Sequence, residues 1–179
     1  MIPHVALLRG INVGGKTTLP MADLRALLEA EGLGDVKTLL QSGNALFRAK
    51  ADAALESRLE KAAAKRFGRP IDFFVRKQAE WEKLVAGNPF AKEAAADPGH
   101  LVVLALKADP SKETLAALKA AIKGPEYFAP GDRSLYLVYP DGIGRSKLTP
   151  ALLEKHLGPG TARNWNTVQK IAASFDGST

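Results

Sequence analysis

The sequence contains no cysteine. This absence excludes disulfides, thiolate nucleophiles and cysteine-ligated zinc. It also lacks any run of about 18 apolar residues, the length that a membrane-spanning helix requires, so we expect no membrane association. The histidines His4, His100 and His156 show no metal-ligand spacing and no neighbouring pair of acid and nucleophile. We therefore predict no metal site and no hydrolase triad, and expect the histidines at the surface or at strand edges.

Basic residues outnumber acidic ones, with 25 Lys and Arg against 19 Asp and Glu and a net charge of +6. This surplus favours an anionic partner through long-range attraction. No block of like charges accompanies it. The N-terminus has no basic or long apolar leader segment, which predicts a cytoplasmic protein. We expect the partner to be nucleic acid, a nucleotide or a phosphorylated metabolite. The sequence does not specify an oligomeric state.

The pattern of residues 1–77 predicts one ferredoxin-like half with the element order βαββαβ. The apolar run at residues 4–8 is typical of a strand covered on both faces. The turn-forming sequence QSGN at residues 41–44 indicates a hairpin. The predicted elements are a strand at 4–8, a helix from Pro20 to Gly32, strands at 36–40 and 45–47, a helix at 52–67 and a strand at 71–75.

Residues 78–99 predict a linking helix at 78–85 followed by a breaker-rich loop. Residues 100–179 form the second half, and from residue 100 the order of elements repeats the first half, with a strand at 100–104 echoing that at 4–8. The chain is predicted to depart from the repeat after Tyr139, where a loop and two helices follow. The remaining predictions are an N-cap at Asp109, a hairpin at 127–139, a helix capped by Thr149 and a last helix from near Ala162. The predicted fold is therefore α+β, with tandem ferredoxin-like halves, antiparallel sheets and extra C-terminal helices.

A glycine-rich segment with the sequence GINVGGKT follows the first strand at residues 10–17. With Arg9 it forms what we call the first glycine loop. It matches the formal P-loop pattern, but a P-loop helix begins at its Lys-Thr pair, whereas here the helix is predicted to begin near Pro20. We predict instead a backbone site where Arg9 and Lys16 bind one phosphate or carboxylate. The alternative is that the glycines only permit positive φ in a tight connection.

A second glycine loop, GIGRSK at residues 142–147, carries two cations and a hydroxyl. Together the two loops are suited to hold one polyanion, and the alternative is a flexible connection with Ser146 and Lys147 in water. The segment RNWNT at residues 163–167 offers donors and acceptors for phosphate, sugar or base edges. Helical spacing predicts that Trp165 is buried and that Arg163, Thr167 and Lys170 share a polar face. Local capping is the alternative role for its asparagines.

Ser42 and Asn44 lie at the predicted tip of the first hairpin, where turn geometry already accounts for them. Aromatic residues on predicted strands offer a further possibility, because sheets of this kind in RNA-recognition modules stack bases on exposed aromatics. The candidates are Phe73, Phe74, Tyr136 and Tyr139. Phe73 and Phe74 point to opposite faces of a strand, which predicts that one of them is buried.

Five motifs of the chain resemble the bacterial family called domain of unknown function 1697. They are ALLRGINVGGK at 6–16, QSGN at 41–44, NPF at 88–90, GIGRSKLT at 142–149 and TARNWNTV at 161–168. The resemblance implies a tandem ferredoxin-like α+β architecture, in agreement with the element order. It implies no established activity.

The sequence thus predicts a protein that binds a phosphate-bearing ligand, either nucleic acid or a nucleotide. The alternatives are an enzyme acting on a phosphorylated small metabolite and a protein whose motifs lock its two halves together. No cofactor or catalytic residue is specified, although acid or base chemistry would require carboxylates such as Asp35 or Asp141. The predicted anion-binding residues are Arg9, Gly10, Asn12, Gly14, Gly15, Lys16, Ser42, Asn44, Arg145, Ser146, Lys147, Arg163, Asn164 and Asn166.

Overall fold

The computed structural model describes residues 1–15 and 17–177. Two four-stranded antiparallel sheets and the helices between them make up this part of the chain. The strands are β1 (Ile2–Leu8), β2 (Gly34–Leu39), β3 (Asn44–Ala49), β4 (Phe73–Lys77), β5 (Leu101–Leu106), β6 (Tyr127–Gly131), β7 (Ser134–Val138) and β8 (Gly160–Asn164). The helices are α1 (Met21–Ala30), α2 (Leu55–Phe67), α3 (Gln78–Ala86), α4 (Ala91–Ala96), α5 (Lys112–Ala121), α6 (Pro150–Leu157) and α7 (Trp165–Phe175), with a 3-10 turn at Pro98–His100.

Both sheets have the same topology. The strand order is β2-β3-β1-β4 in the first sheet and β6-β7-β5-β8 in the second, and all neighbours are antiparallel. With helices α1 and α2 in the first repeat, and α5 and α6 in the second, each sheet completes a βαββαβ unit. The predicted tandem ferredoxin-like α+β fold is therefore confirmed. The predicted departure from the repeat after Tyr139 is wrong, because α6 and β8 complete the second unit. None of the helices in the described part of the chain is long and apolar enough to cross a membrane.

The chain divides into two compact units. Unit 1 consists of Met1–Glu82 together with the C-terminal stretch that starts at Ile171, and unit 2 consists of Lys83–Lys170. In each unit the leucines of two helices pack on one face of the sheet. Strand β5 is buried along its whole length and β1 from His4 onward. This burial accounts for their continuous apolar runs, because a central strand covered on both faces has no polar side.

One equivalent hydrogen bond in each sheet shows which residues of the two central strands, β1 and β5, correspond. Leu8 N donates to Gly43 O, and Leu106 N donates to Arg133 O, both at 2.8 Å. Leu8 therefore corresponds to Leu106, so that β1 residues 4–8 match residues 102–106. The predicted match with residues 100–104 is wrong by two residues, because an apolar run contains no landmark that sets its register.

The same register places an arginine at equivalent positions of the two edge strands. Arg76 of β4 lies opposite Val5 of β1, and Arg163 of β8 lies opposite Val103 of β5. Both arginines are buried. The repeat therefore extends from the order of elements to a single buried cation in each sheet.

The prediction of a helix from near Ala162 is wrong, because residues 160–164 form strand β8 and helix α7 begins only at Trp165. Thr161 and Arg163 are buried while Ala162 is exposed, which is the alternation of a strand. Arg163 consequently does not share a helical face with Thr167 and Lys170. This short polar segment becomes a strand through its pairing with β5, which is a long-range contact.

Two further local predictions are wrong. The stretch predicted as a loop contains helix α4, whose sequence AKEAAA has high helix propensity between the breakers on either side. Helix α5 is capped by Ser111, whose Oγ accepts a hydrogen bond from Thr114 N at 3.1 Å. Asp109 instead accepts one from Arg133 N at 2.6 Å, at the β6–β7 turn. The predicted cap of α6 is confirmed, since Thr149 Oγ1 accepts from Leu152 N at 3.2 Å.

Candidate anion site

Asn12 fixes the first glycine loop to its neighbours in unit 1. Its Oδ1 accepts a hydrogen bond from Leu19 N at 2.8 Å. Its Nδ2 donates to Leu19 O at 3.0 Å and to Gln41 O at 2.7 Å. The residue has a φ of +54°, in a region that asparagine tolerates better than most residues. Because both amide donors and the amide oxygen are used within the protein, the side chain of Asn12 has a structural role.

The β2–β3 hairpin packs directly against this loop. Gly43 has a φ of +83°, and a Cβ at this position would lie 2.5 Å from Ile11 Cδ1, so only glycine fits. Asn44 is fully buried, and its Nδ2 donates to Leu39 O at 2.8 Å and to Ser42 Oγ at 3.0 Å. Ser42 and Asn44 therefore close the hairpin, as turn geometry predicts.

Of the two cations of the first glycine loop, the structure describes Arg9. Arg9 pairs with Asp72 at 3.2 Å, with its side chain 32% exposed. Lys16 lies outside the described residues. Gly10, Gly14 and Gly15 are exposed and have positive φ. Helix α1 begins at Met21, which confirms that the helix starts too late for a P-loop.

The second glycine loop in unit 2 connects β7 to α6 and is anchored through Ser146. The Ser146 hydroxyl donates to Glu126 Oε1 at 2.5 Å and accepts from Leu148 N at 3.0 Å. Arg145 and Lys147, on either side, are both exposed. Neither makes a hydrogen bond or an ion pair with any residue that the structure describes. The loop therefore presents two exposed cations, one on either side of a residue that hydrogen bonds hold in place.

A polar cluster lies at the base of this loop. Tyr139 OH donates to Leu148 O at 3.3 Å. Burial, with a smaller contribution from the charge of Glu126, raises the pKa of Tyr139 to about 12. Glu126 Oε2 is buried and has no hydrogen-bond partner among the described atoms. Sequence reasoning missed Glu126, because it lies twenty residues before Ser146 and no local motif marks it.

An Asp-His pair lies beside the same loop. His100 Nδ1 and Asp97 Oδ2 are 2.6 Å apart, and the two side chains are 43% and 55% exposed. A Cβ placed on Gly142 would lie 3.4 Å from His100 Nε2. The backbone also joins the two segments, because Tyr139 N donates to His100 O at 2.9 Å. Sequence reasoning missed this pair, although the spacing of three residues between the Asp and the His was a signal for it.

His4 is buried in the middle of the first sheet, so the prediction of a surface or strand-edge position is wrong for this residue. Its ring stacks on Phe47 with centroids 5.6 Å apart. Burial lowers the pKa of His4, and the charge of Lys77 lowers it further against the opposing effects of Ile2 O and Glu80. An apolar run that begins at histidine predicts a strand that starts there, whereas β1 starts two residues earlier.

In the segment at residues 163–167, Arg163 and Asn164 form hydrogen bonds within the protein. Arg163 is buried, and its guanidinium donates to Thr161 Oγ1 at 2.8 Å and to Ala162 O at 2.9 Å. Burial lowers the pKa of Arg163 to about 10. Asn164 Oδ1 accepts from Thr167 N at 3.0 Å, which is the local capping role that was the alternative. Asn166 alone among the three predicted residues of this segment is exposed.

None of the aromatic residues that the sequence suggested for base stacking is exposed. Trp165 is 3% exposed, as its helical spacing predicts. The four candidate aromatics, Phe73, Phe74, Tyr136 and Tyr139, are all buried.

A cavity of about 540 Å³ lies in unit 1 and contains none of the predicted anion-binding residues. His4 and Phe47 contribute to its lining, together with charged residues such as Arg25, Lys37 and Arg48. Among the residues that the structure describes, no group of three or more His, Asp or Glu side chains is placed to hold a metal ion.

The sequence profile of a family described as "Protein of unknown function (DUF1697)" matches residues 1–136. The chain belongs to this family. The DUF1697 match includes the first glycine loop, the QSGN hairpin and the NPF motif. The second glycine loop and residues 161–168 lie beyond it, so the family assignment does not depend on them.

The chain is also similar in structure to a conserved bacterial protein, SP0830, from Streptococcus pneumoniae. The two are 23% identical with a TM-score of 0.76, and the similarity covers 96% of this chain and 97% of the other. At this level of identity the similarity establishes a shared fold. A comparison with curated proteins gives no match.

Proposed function

We propose that unit 2 binds a phosphate-bearing ligand at the second glycine loop, with Arg145 and Lys147 as its cationic contacts. The supporting observation is that both side chains are exposed and unpaired within the described chain, while Ser146 between them is anchored to Glu126. A fixed loop that carries an arginine and a lysine can form charge-assisted hydrogen bonds to phosphate oxygens without first breaking internal ion pairs.

The ligand that we propose is recognised through phosphate, either in a nucleotide or in nucleic acid. The net charge of +6 favours such an anion over a neutral ligand. The burial of the candidate aromatics argues against recognition by base stacking. We also propose a cytoplasmic location, with which the absence of cysteine is consistent.

For the first glycine loop we propose a structural role within unit 1. The amide of Asn12 is occupied within the protein, and Gly43 is packed against Ile11. These contacts hold the β1–α1 connection and the β2–β3 hairpin together inside unit 1.

Calorimetric titration with inorganic phosphate, adenosine monophosphate and a single-stranded DNA twelve-mer tests the proposed binding site. We expect the double variant R145A/K147A to weaken binding of all three probes by about tenfold or more, equivalent to about 1.4 kcal/mol. The matched control is K112A/K119A, which removes two exposed charges from α5 and should leave affinity nearly unchanged. Equal weakening by the two variants would show a general charge effect and contradict the site.

Salt dependence then distinguishes the two ligand classes. An extended polyanion releases several counterions, so the logarithm of its affinity falls steeply with the logarithm of salt concentration. A single phosphate gives a shallow slope. A DNA slope no steeper than that of adenosine monophosphate would assign the site to nucleotides.

A further inference from the structure

His100 is held in one orientation at the edge of the second glycine loop. Its Nδ1 lies 2.6 Å from Asp97 Oδ2, which is hydrogen-bonding distance. Because a carboxylate only accepts hydrogen bonds, this contact places a proton on Nδ1 and leaves Nε2 of the neutral ring with a lone pair. The Asp-His pair therefore has the arrangement of a base and the group that orients it.

The free nitrogen of this pair faces the glycine loop. Nε2 lies 3.4 Å from the position that a Cβ on Gly142 would occupy, and Gly142 has a φ of +84°. A side chain at residue 142 would fill the space in front of Nε2, whereas glycine leaves it open. The imidazole is also 43% exposed, so that water and a small ligand can reach it.

We propose that His100 is the general base of a phosphomonoester hydrolase site at the second glycine loop, with Asp97 as its positioning residue. This inference rests on the proposed function, because Arg145 and Lys147 hold the phosphate group in it. The substrate class is a small phosphomonoester, of which a mononucleotide is one example.

The reaction is the addition of water to a phosphate ester. Nε2 of His100 takes a proton from a water molecule while the water oxygen forms a bond to phosphorus. The bond between phosphorus and the ester oxygen breaks, and its electron pair stays on the ester oxygen. Because the attacking and leaving oxygens are in line at phosphorus, the ester oxygen takes a proton from solvent water and the imidazolium releases its proton to solvent, giving an alcohol and inorganic phosphate with no oxidant or reductant consumed. The Asp97 carboxylate stabilises the imidazolium while it carries the proton.

The test measures hydrolysis of p-nitrophenyl phosphate and of adenosine monophosphate by the full chain, alongside binding of inorganic phosphate. We expect H100Q to lower kcat by about a hundredfold, which is within the range of general base catalysis, and to leave phosphate affinity unchanged. In H100A, free imidazole should restore part of the activity, a result that loss of structure would not produce. D97N should lower kcat with little change in KM, and D97E should recover part of that loss.

The outcomes separate this inference from the binding proposal. Phosphate binding that depends on Arg145 and Lys147, without turnover above the buffer rate, overturns the hydrolase and leaves the binding site standing. Turnover that is the same in wild type and H100Q also overturns the role of His100. Absence of phosphate binding overturns both proposals.

Discussion

The buried imidazole of His4 links a single residue to the pH dependence of the whole protein. Its pKa lies below the ordinary value because burial, and to a lesser extent Lys77, disfavours the charged ring. In the unfolded chain the same group titrates near its ordinary pKa of about 6.5. As the pH falls through this value, the unfolded state binds the proton first and is favoured by it.

We therefore expect the free energy of unfolding to decrease as the pH is lowered from about 7 towards 5, in the window below the ordinary pKa of histidine. Urea unfolding at a series of pH values measures this, and NMR titration of the ring measures the pKa itself. The variant H4Q should show a flatter profile. A His4 resonance that titrates at or above the ordinary value would contradict the prediction.

Gly43 allows a second prediction on one residue. G43A should lower the free energy of unfolding by about 1–3 kcal/mol, because it combines a strained positive φ with a clash against Ile11. The matched control is G68A, which has a similar φ of +70° but open space around the new Cβ. Denaturant unfolding of both variants isolates the clash, and equal losses would argue against close packing of the hairpin on the first glycine loop.

Helices and hairpins of this fold follow from local signals, and this explains which elements could be predicted. Thr149 and Pro150 mark the start of α6, and QSGN marks the β2–β3 turn, because caps and turns involve neighbouring residues. Strand β8 could not be predicted in this way, since its polar sequence is ordered by pairing with β5. The same limit applies to the site, where Glu126 and Gly142 reach Ser146 and His100 only through the fold.

The cap of α6 gives a prediction for an element. T149A should lower the free energy of unfolding by about 1 kcal/mol, because Leu152 N loses its hydrogen-bond acceptor. T149S keeps the hydroxyl and should remain close to wild type. Thermal or urea unfolding compares the two, and a loss of equal size in both would point to the methyl group of threonine instead of its hydroxyl.

The two units of the molecule resemble each other more closely in structure than in sequence. The order of elements predicts two similar halves, but the register between them requires the hydrogen-bonded ladders. These ladders place Arg76 and Arg163 at equivalent positions, although their flanking sequences give no sign of it. Sequence identity alone therefore underestimates how closely the two units correspond.

This correspondence predicts parallel effects in the two units. R76A and R163A should each lower the free energy of unfolding by about 2 kcal/mol or more, because each removes buried packing and leaves backbone carbonyls without their donor. The control R25A removes an exposed arginine and should change stability by no more than about 0.5 kcal/mol. Opposite signs at the two buried positions would show that their equivalence is geometric only.

Two helices carry the chain across the boundary between the units, and this has a consequence for synthesis on the ribosome. Helix α3 crosses from unit 1 to unit 2 after Glu82, and α7 crosses back after Lys170. Ile171, which is fully buried, therefore belongs to unit 1 but is translated after all of unit 2. Domains usually fold in order of emergence. Here the unit whose translation begins first is the last to receive all of its residues.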